Sequence, residues 1–328
     1  MATTTRRRFA LGAPMLAAAP LAPAGAQTAG AEWPSRPVRF VLPYPPGGPT
    51  DIMGRVVAQA LGRDLPQPVV VENRAGAAGA IGTEAVARAQ PDGATFLVNA
   101  SAHVIVPHVV RVPYDALGDF APVTNIASVP LMLVVTPGLP VRSVPELVAY
   151  AKANPGRLSF ASSSNGGAPH LAGELFKLMA GVDMAHVPYR GSGQAVPDLI
   201  AGNVQVMFDS MPSSAGAVRE GRLRALAVTT AGRQAAFPEL PTVAEAGVPD
   251  YEISTWYGIW APARTPAEIV GRLHAAVARA LRGEDAKEKM AALGAQPVAD
   301  APEDFGRFVR AESERWGRLV RDARIKAD

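Results

Sequence analysis

The chain has 328 residues, 48% of them hydrophobic and 19% charged, enough for two domains with real cores and too apolar for disorder. It contains no cysteine, which excludes disulfides, thiolate nucleophiles and Cys-based zinc sites. The formal charge of +3 comes from 32 basic and 29 acidic residues; Arg6, Arg7 and Arg8 lie in residues 1–26, which hold no acid, so removing those three leaves 29 against 29 and no cationic stripe suited to a phosphate backbone.

The first 26 residues read as an export signal. Thr5-Arg6-Arg7-Arg8-Phe9-Ala10 carries the paired arginines and the Phe of a twin-arginine signal. An Ala-rich apolar stretch to Pro23 follows, then the small-residue site Ala24-Gly25-Ala26. The mature, periplasmic chain is expected to begin near Gln27. The stretch is too short and too proline-broken to anchor in a bilayer, and no later apolar run is long enough to span one.

Beyond it, short apolar runs alternate with helical patterns, the mark of parallel α/β architecture. Val38–Leu42 reads as a strand, followed by a helix over Asp51–Arg63 with Ile52, Val56 and Ala60 on one face. Val69–Glu72, helix Ile81–Ala89 and strand Thr95–Asn99 come next. Strands Pro130–Thr136 and Leu158–Ala161 flank the helix Pro145–Ala153, which Ser143 is placed to cap. Helix His170–Ala180 puts Leu171, Leu175 and Met179 in one stripe. Val204–Asp209 and Leu223–Thr229 are strands around a helical segment near Ser213–Glu220. Ile253–Ala261, with Trp256, Tyr257 and Trp260, reads as a buried strand rather than an aromatic cage. Helix Pro266–Leu281 carries Ile269, Leu273, Val277 and Leu281, and an amphipathic helix closes the chain from Pro302 to Ile325. There is no repeat and no Gly/Ser tether.

Four loops rich in small residues follow strands and precede helical stretches. They are Pro45-Pro46-Gly47-Gly48, Ala75-Gly76-Ala77-Ala78-Gly79, Ser162-Ser163-Ser164-Asn165-Gly166-Gly167 and Gly191-Ser192-Gly193. Singly, each is ordinary turn chemistry. In a parallel sheet, however, all four lie at the carboxyl edge, where ligands bind. Helix starts there offer unpaired N–H groups and partial positive charge, and glycine lets a ligand approach the backbone. Together they form an anion site that needs no arginine cluster.

Nucleotide fingerprints are absent: there is no GxxxxGK[ST], and residues 76–82 do not fit GxGxxG. Ser163, His170 and Asp209 are conceivable as a hydrolase triad, but no Gly-x-Ser-x-Gly elbow occurs. The five histidines show no metal-ligand spacing, and His103 and His108 read as loop or structural residues.

The run Leu42-Pro43-Tyr44-Pro45-Pro46-Gly47-Gly48 with Asp51 and Arg55 resembles the first loop of the Bug family, the extracytoplasmic solute receptors of tripartite tricarboxylate transporters. Further matches follow in order, including Glu72-Asn73-Arg74-Ala75-Gly76, Pro91-Asp92-Gly93, His170-Leu171-Ala172-Gly173-Glu174, His186-Val187-Pro188-Tyr189-Arg190-Gly191 and Pro241-Thr242-Val243-Ala244-Glu245-Ala246-Gly247. The resemblance spans essentially the whole mature chain.

It implies a two-lobed, type II-like periplasmic-binding-protein fold: residues 27–130 with 255–328 form one lobe and 131–254 the other, each a mainly parallel sheet flanked by helices, with the lobes joined by crossing strands. It implies no catalysis, cofactor or metal. The expected ligand is a small organic carboxylate, held by Tyr44, Gly47, Gly48, Asp51, Ala78, Ser162, Ser163, Asn165, His170 and Asp209. Asp51 has an alternative role at its helix start, and the acidic Asp209 would repel a carboxylate directly, which fits it to accept from a ligand ammonium or a bridging water or, for a purely anionic ligand, to orient loop amides. Arg190 stands where the family often has lysine, and Asn99-Ala100-Ser101-Ala102-His103 departs from the usual small-residue loop. Expected partners are permease subunits of the transporter or, alternatively, a sensor kinase; the chain is expected to be a monomer and not to bind nucleic acid.

Overall fold

The computed structural model describes residues 1–3, 33–322 and Ile325. The export signal expected over 1–26 therefore lies, from residue 4 onward, outside the described residues. From Trp33 the chain forms one unit.

Its elements in order are β1 (Val38–Leu42), α1 (Pro49–Leu61), β2 (Val69–Asn73), a short 3₁₀ turn (Ala77–Gly79), α2 (Ala80–Ala87), β3 (Thr95–Ala100), α3 (Ala102–Val109) and β4 (Phe120–Val135). Then come α4 (Val144–Ala153), β5 (Ser159–Ser162), α5 (Ala168–Ala180), β6 (Ala185–Pro188), α6 (Ser192–Ala201), β7 (Val206–Ser210), α7 (Met211–Arg219) and β8 (Arg224–Val228). The chain closes with β9 (Ser254–Pro262), α8 (Ala267–Arg282), α9 (Glu284–Ala292), β10 (Gln296–Pro297) and α10 (Pro302–Asp322).

The strands pair in the order β2-β1-β3-β9-β4-β7-β5-β6, with β8 and β10 added to β4. At each end a parallel triplet is built from βα units: β1 lies between β2 and β3, and β5 between β6 and β7. Between the triplets, β4 and β9 run antiparallel to their neighbours. The long β4 carries the chain from one group to the other. Its residues Phe120–Pro130 pair with β9, whereas Leu131–Val135 pair with β7 and β8.

The central strands are buried on both faces. Leu131, Leu133 and Val135 enter one apolar cluster while Met132 and Val134 enter the other. Leu97 and its neighbours Phe96 and Val98 divide in the same way. That is why these strands appear in sequence as unbroken apolar runs. Trp256, Tyr257 and Trp260 are all buried, as expected of a core strand.

The helix faces needed correction. In α1 the buried stripe is Met53, Val57 and Leu61, one position beyond the predicted Ile52, Val56 and Ala60, which are only partly buried. In α5 the core-facing residues are Leu171, Ala172 and Phe176, and Met179 is exposed. Where small apolar residues surround a helix, its rotation is decided by the sheet beneath it, not by its own periodicity. Helices α3 and α9 and strand β6 were not anticipated: Pro107 interrupts α3, α9 is mostly polar, and β6 is a four-residue edge strand. Strand β4 also starts ten residues earlier than predicted, at Phe120 rather than Pro130.

Candidate functional site

Because β1 and β2 run parallel at one end of the sheet and β5 and β6 at the other, the four small-residue loops all leave the carboxyl ends of their strands. A narrow cavity of about 30 Å³ lies among them. Helix α1 contributes Gly48, Pro49 and Thr50, and α5 contributes Gly167, Ala168 and Pro169. The starts of α3, α6 and α7 reach it through Ser101 and Ala102, Gly191, and Ser210. Five helix N-termini, drawn from both strand groups, thus meet at one place.

None of these five has a side-chain cap from its N-cap residue. By contrast α4, away from the cavity, is capped as predicted: Ser143 Oγ accepts from the Glu146 N–H at 3.3 Å. Each open N-terminus carries roughly half a positive charge and unpaired N–H donors. Among the described residues no charged side chain lines this cavity. Hydroxyls do: Ser101 and Thr255 lie 2.9 Å apart, and Tyr257 donates to Ser210 at 3.0 Å. The arrangement suits an anion small enough to sit against backbone amides.

A wider cavity of about 270 Å³ adjoins it, sharing Tyr44, Ser163 and Ser164. Its far wall is the loop after β2, where Gly76, Ala77, Ala78 and Gly79 all have positive φ. Two alanines in the left-handed region are costly, of order 1–3 kcal/mol each, and persist only where the surroundings fix them. Gly82 shows how tightly α2 is held. A Cβ there would meet the Arg74 carbonyl oxygen at 2.6 Å and Pro43 Cα at 2.9 Å.

The first loop is fastened from behind. Prolines at 43, 45 and 46 keep it out of helix, and Pro49 opens α1. Asp51 accepts from the Gly47 N–H at 3.0 Å, from Arg55 Nε at 2.9 Å and from Asn73 Nδ2 at 2.9 Å, while Asn73 also donates to the Tyr44 carbonyl at 3.0 Å. Burial pushes the Asp51 carboxyl up, but those donors outweigh it and hold its pKa below the usual carboxylate range.

The second group of loops is fastened by different chemistry. Asp209, fully buried, accepts from Ser192 Oγ at 2.6 Å, Ser213 Oγ at 2.5 Å and Ser214 Oγ. Desolvation still leaves its pKa raised. His170 Nδ1 accepts from the Gly166 N–H at 3.1 Å, and its ring stacks on His186 at 3.9 Å. Ser162 Oγ is 2.7 Å from His186 Nε2.

Of the ten residues singled out from sequence, Tyr44, Gly48, Ala78, Ser163 and Asn165 line one or both cavities. Gly47, Asp51, Ser162, His170 and Asp209 stand behind them and hold the loops. Asp209 is engaged by serine hydroxyls and His170 by a loop amide, which is not the geometry of a catalytic triad. Sequence reading passed over Ser210, Thr255 and Tyr257 as lining residues, and placed Ser101 only within the run 99–103 that lines or flanks the cleft. The signal for Ser101 was present, since it follows β3 as the other loops follow their strands. His103, in the first turn of α3, is buried with Nε2 at 2.9 Å from the Ala116 carbonyl, and burial pushes its pKa down to about 4. It is a structural residue, neutral at physiological pH. Among the described residues no group of side chains could hold a metal ion.

The sequence profile of TctC, the tripartite tricarboxylate transporter family receptor, matches residues 53–325. The chain belongs to this receptor family. Protein BugT of Bordetella pertussis is 39% identical over 98% of both chains. Rpa4515 of R. palustris, solved with adipate, is 40% identical, covers 90% of this chain and 99% of its own, and superposes with a TM-score of 0.88. MatC from Rhodopseudomonas palustris, solved with bound malate, is 32% identical over 88% of this chain and 100% of its own, with a TM-score of 0.83. The receptor is therefore a solute-binding protein of the periplasmic Bug type and not an enzyme.

Proposed function

We propose that this receptor captures a small organic carboxylate between two lobes and hands it to the permease subunits of a tripartite tricarboxylate-type transporter. The lobes in this reading are residues 27–130 with 255–328, and residues 131–254. The observation that carries it is the meeting of five uncapped helix N-termini, from both strand groups, at a cavity lined, among the described residues, by no charged side chain. Each such terminus favours an anion by about 0.3–1 kcal/mol where solvent reaches it and more where it does not. Two relatives solved with carboxylates, adipate and malate, support the same ligand class. Tyr44, Gly48, Ala78, Ser163 and Asn165 would touch the ligand directly, with Asp51, His170 and Asp209 holding the loops that present amides to it. Arg6, Arg7 and Arg8 and the small residues before Gln27 support export and cleavage there.

Calorimetric titration with mono-, di- and tricarboxylates tests the reading. At least one of them is expected to bind and to raise the melting temperature, the rise growing with the logarithm of ligand concentration above Kd. Failure of the whole panel at saturating concentration would falsify carboxylate capture. Pull-down of transporter permease subunits from membranes by the ligand-loaded chain, and not by the empty one, is the expected sign of delivery.

A further inference from the structure

The wider cavity has a chemistry of its own. Its apolar walls include Pro43, Ala77, Ala78 and Pro188, with Tyr189 beside them. The Tyr189 hydroxyl is committed to Asp198 at 2.7 Å, so this residue adds ring surface more than a free polar group. Among the described residues, Arg190 is the one charged side chain lining either cavity. Neighbouring arginines are already paired, Arg55 with Asp51 and Arg74 with Glu72. Arg190 is exposed and has no ion-pair partner among the described residues.

We infer that Arg190 is a specificity-determining residue that reads a second anionic group, so that the preferred ligand is an elongated, bipolar acid with an apolar middle. One carboxylate sits at the helix N-termini in the narrow cavity. The methylene or ring body lies along the apolar wall, and the second carboxylate reaches the guanidinium. The two volumes fit this division: about 30 Å³ holds little more than a carboxylate or a water or two, while about 270 Å³ takes the body of a ligand. Guanidinium is well matched to the far group because its fork pairs a carboxylate through two parallel hydrogen bonds. The strained Ala77-Ala78 segment serves this arrangement by holding its wall in a conformation the chain would not adopt unaided. The inference rests on the carboxylate-receptor reading and adds to it a length and a second charge.

The test compares each α,ω-dicarboxylate with its monocarboxylate counterpart, adipate with hexanoate and suberate with octanoate, with succinate as the short control. Affinities are measured by calorimetry on the full chain and on Arg190→Gln and Arg190→Lys. Since Arg190 is exposed, both variants are expected to keep the parent melting temperature. Wild type is expected to bind one of the longer dicarboxylates at least about tenfold more tightly than its monocarboxylate partner. R190Q removes that preference and leaves the monocarboxylate affinity unchanged, and R190K restores part of it. Equal binding of the paired acids by wild type, or a preference that survives in R190Q, overturns the role of Arg190 while leaving carboxylate capture standing. Absence of binding by every acid overturns both.

Discussion

Ser192 Oγ lies 2.6 Å from Asp209 Oδ1, so the first residue of α6 is tied to the end of β7 inside the protein, with both residues fully buried. Ser213 and Ser214, from α7, complete the set of hydroxyls on that carboxylate. An acid beside an anion site looks like a contradiction. Its oxygens, however, are taken up by these hydroxyls and by the Ser210 backbone amide, while Asp209 itself does not line the cavity that the starts of α6 and α7 reach.

The pH dependence of Asp209 follows from its raised pKa, caused first by desolvation. A folded-state pKa above the unfolded value near 4 means that the unfolded chain releases its proton first. Stability from this group is therefore present in acid and declines as pH rises through the folded pKa. Asp209→Asn has no such titration. Denaturant melts of both proteins across the acid range are expected to show the wild-type advantage largest at low pH and shrinking as pH rises.

Asp51 carries the opposite sign. Its pKa is lowered because Arg55, the Gly47 N–H and Asn73 together outweigh burial. The stabilisation is present above the usual carboxylate range and disappears as pH falls through the lowered folded value. Asp51→Asn is expected to cost about 1–2 kcal/mol near neutrality, the low side of a charged hydrogen-bond set because Arg55 is half exposed. The difference closes in acid. A gap that stays constant with pH would refute the charge argument.

Gly82 allows α2 to approach the first loop. In Gly82→Ala the new Cβ meets backbone at 2.6 Å from the Arg74 carbonyl oxygen, and backbone cannot swing aside as a side chain can. A loss of about 1–3 kcal/mol in chemical denaturation is expected, together with weaker ligand binding as the wider cavity deforms. Full stability in this variant would mean that α2 sits farther from Pro43 than described.

Ala78 has φ 53°, a conformation that costs an alanine about 1–2 kcal/mol. Replacement by glycine relieves that strain but adds unfolded-state freedom worth about 0.4–1 kcal/mol. Ala78→Gly is thus expected to be neutral or slightly stabilising by thermal melting, and Ala78→Val to be clearly destabilising. If glycine here cost as much as in a helix interior, the left-handed assignment would be wrong.

By itself the sequence determined the strand–helix alternation, the loops that gather at the carboxyl edge and the family. These depend on local chemistry: apolar runs buried on both faces, prolines and glycines at turns, and motifs in fixed order. The family resemblance also pointed to Tyr44, Gly48, Ala78, Ser163 and Asn165, which line the cavities; each sits in a loop directly after a strand. Tertiary structure alone decided the rest. Which face α1 and α5 bury depends on the sheet they lie against. Whether Asp51, His170 and Asp209 meet solute or brace the loops depends on partners such as Asn73, Gly166 and Ser192, remote in sequence or hidden within a turn. Ser210, Thr255 and Tyr257 reach the cavity only because β4 and β9 run antiparallel through the middle of the sheet, and a pairing between strands so far apart in the chain leaves no periodic trace in either.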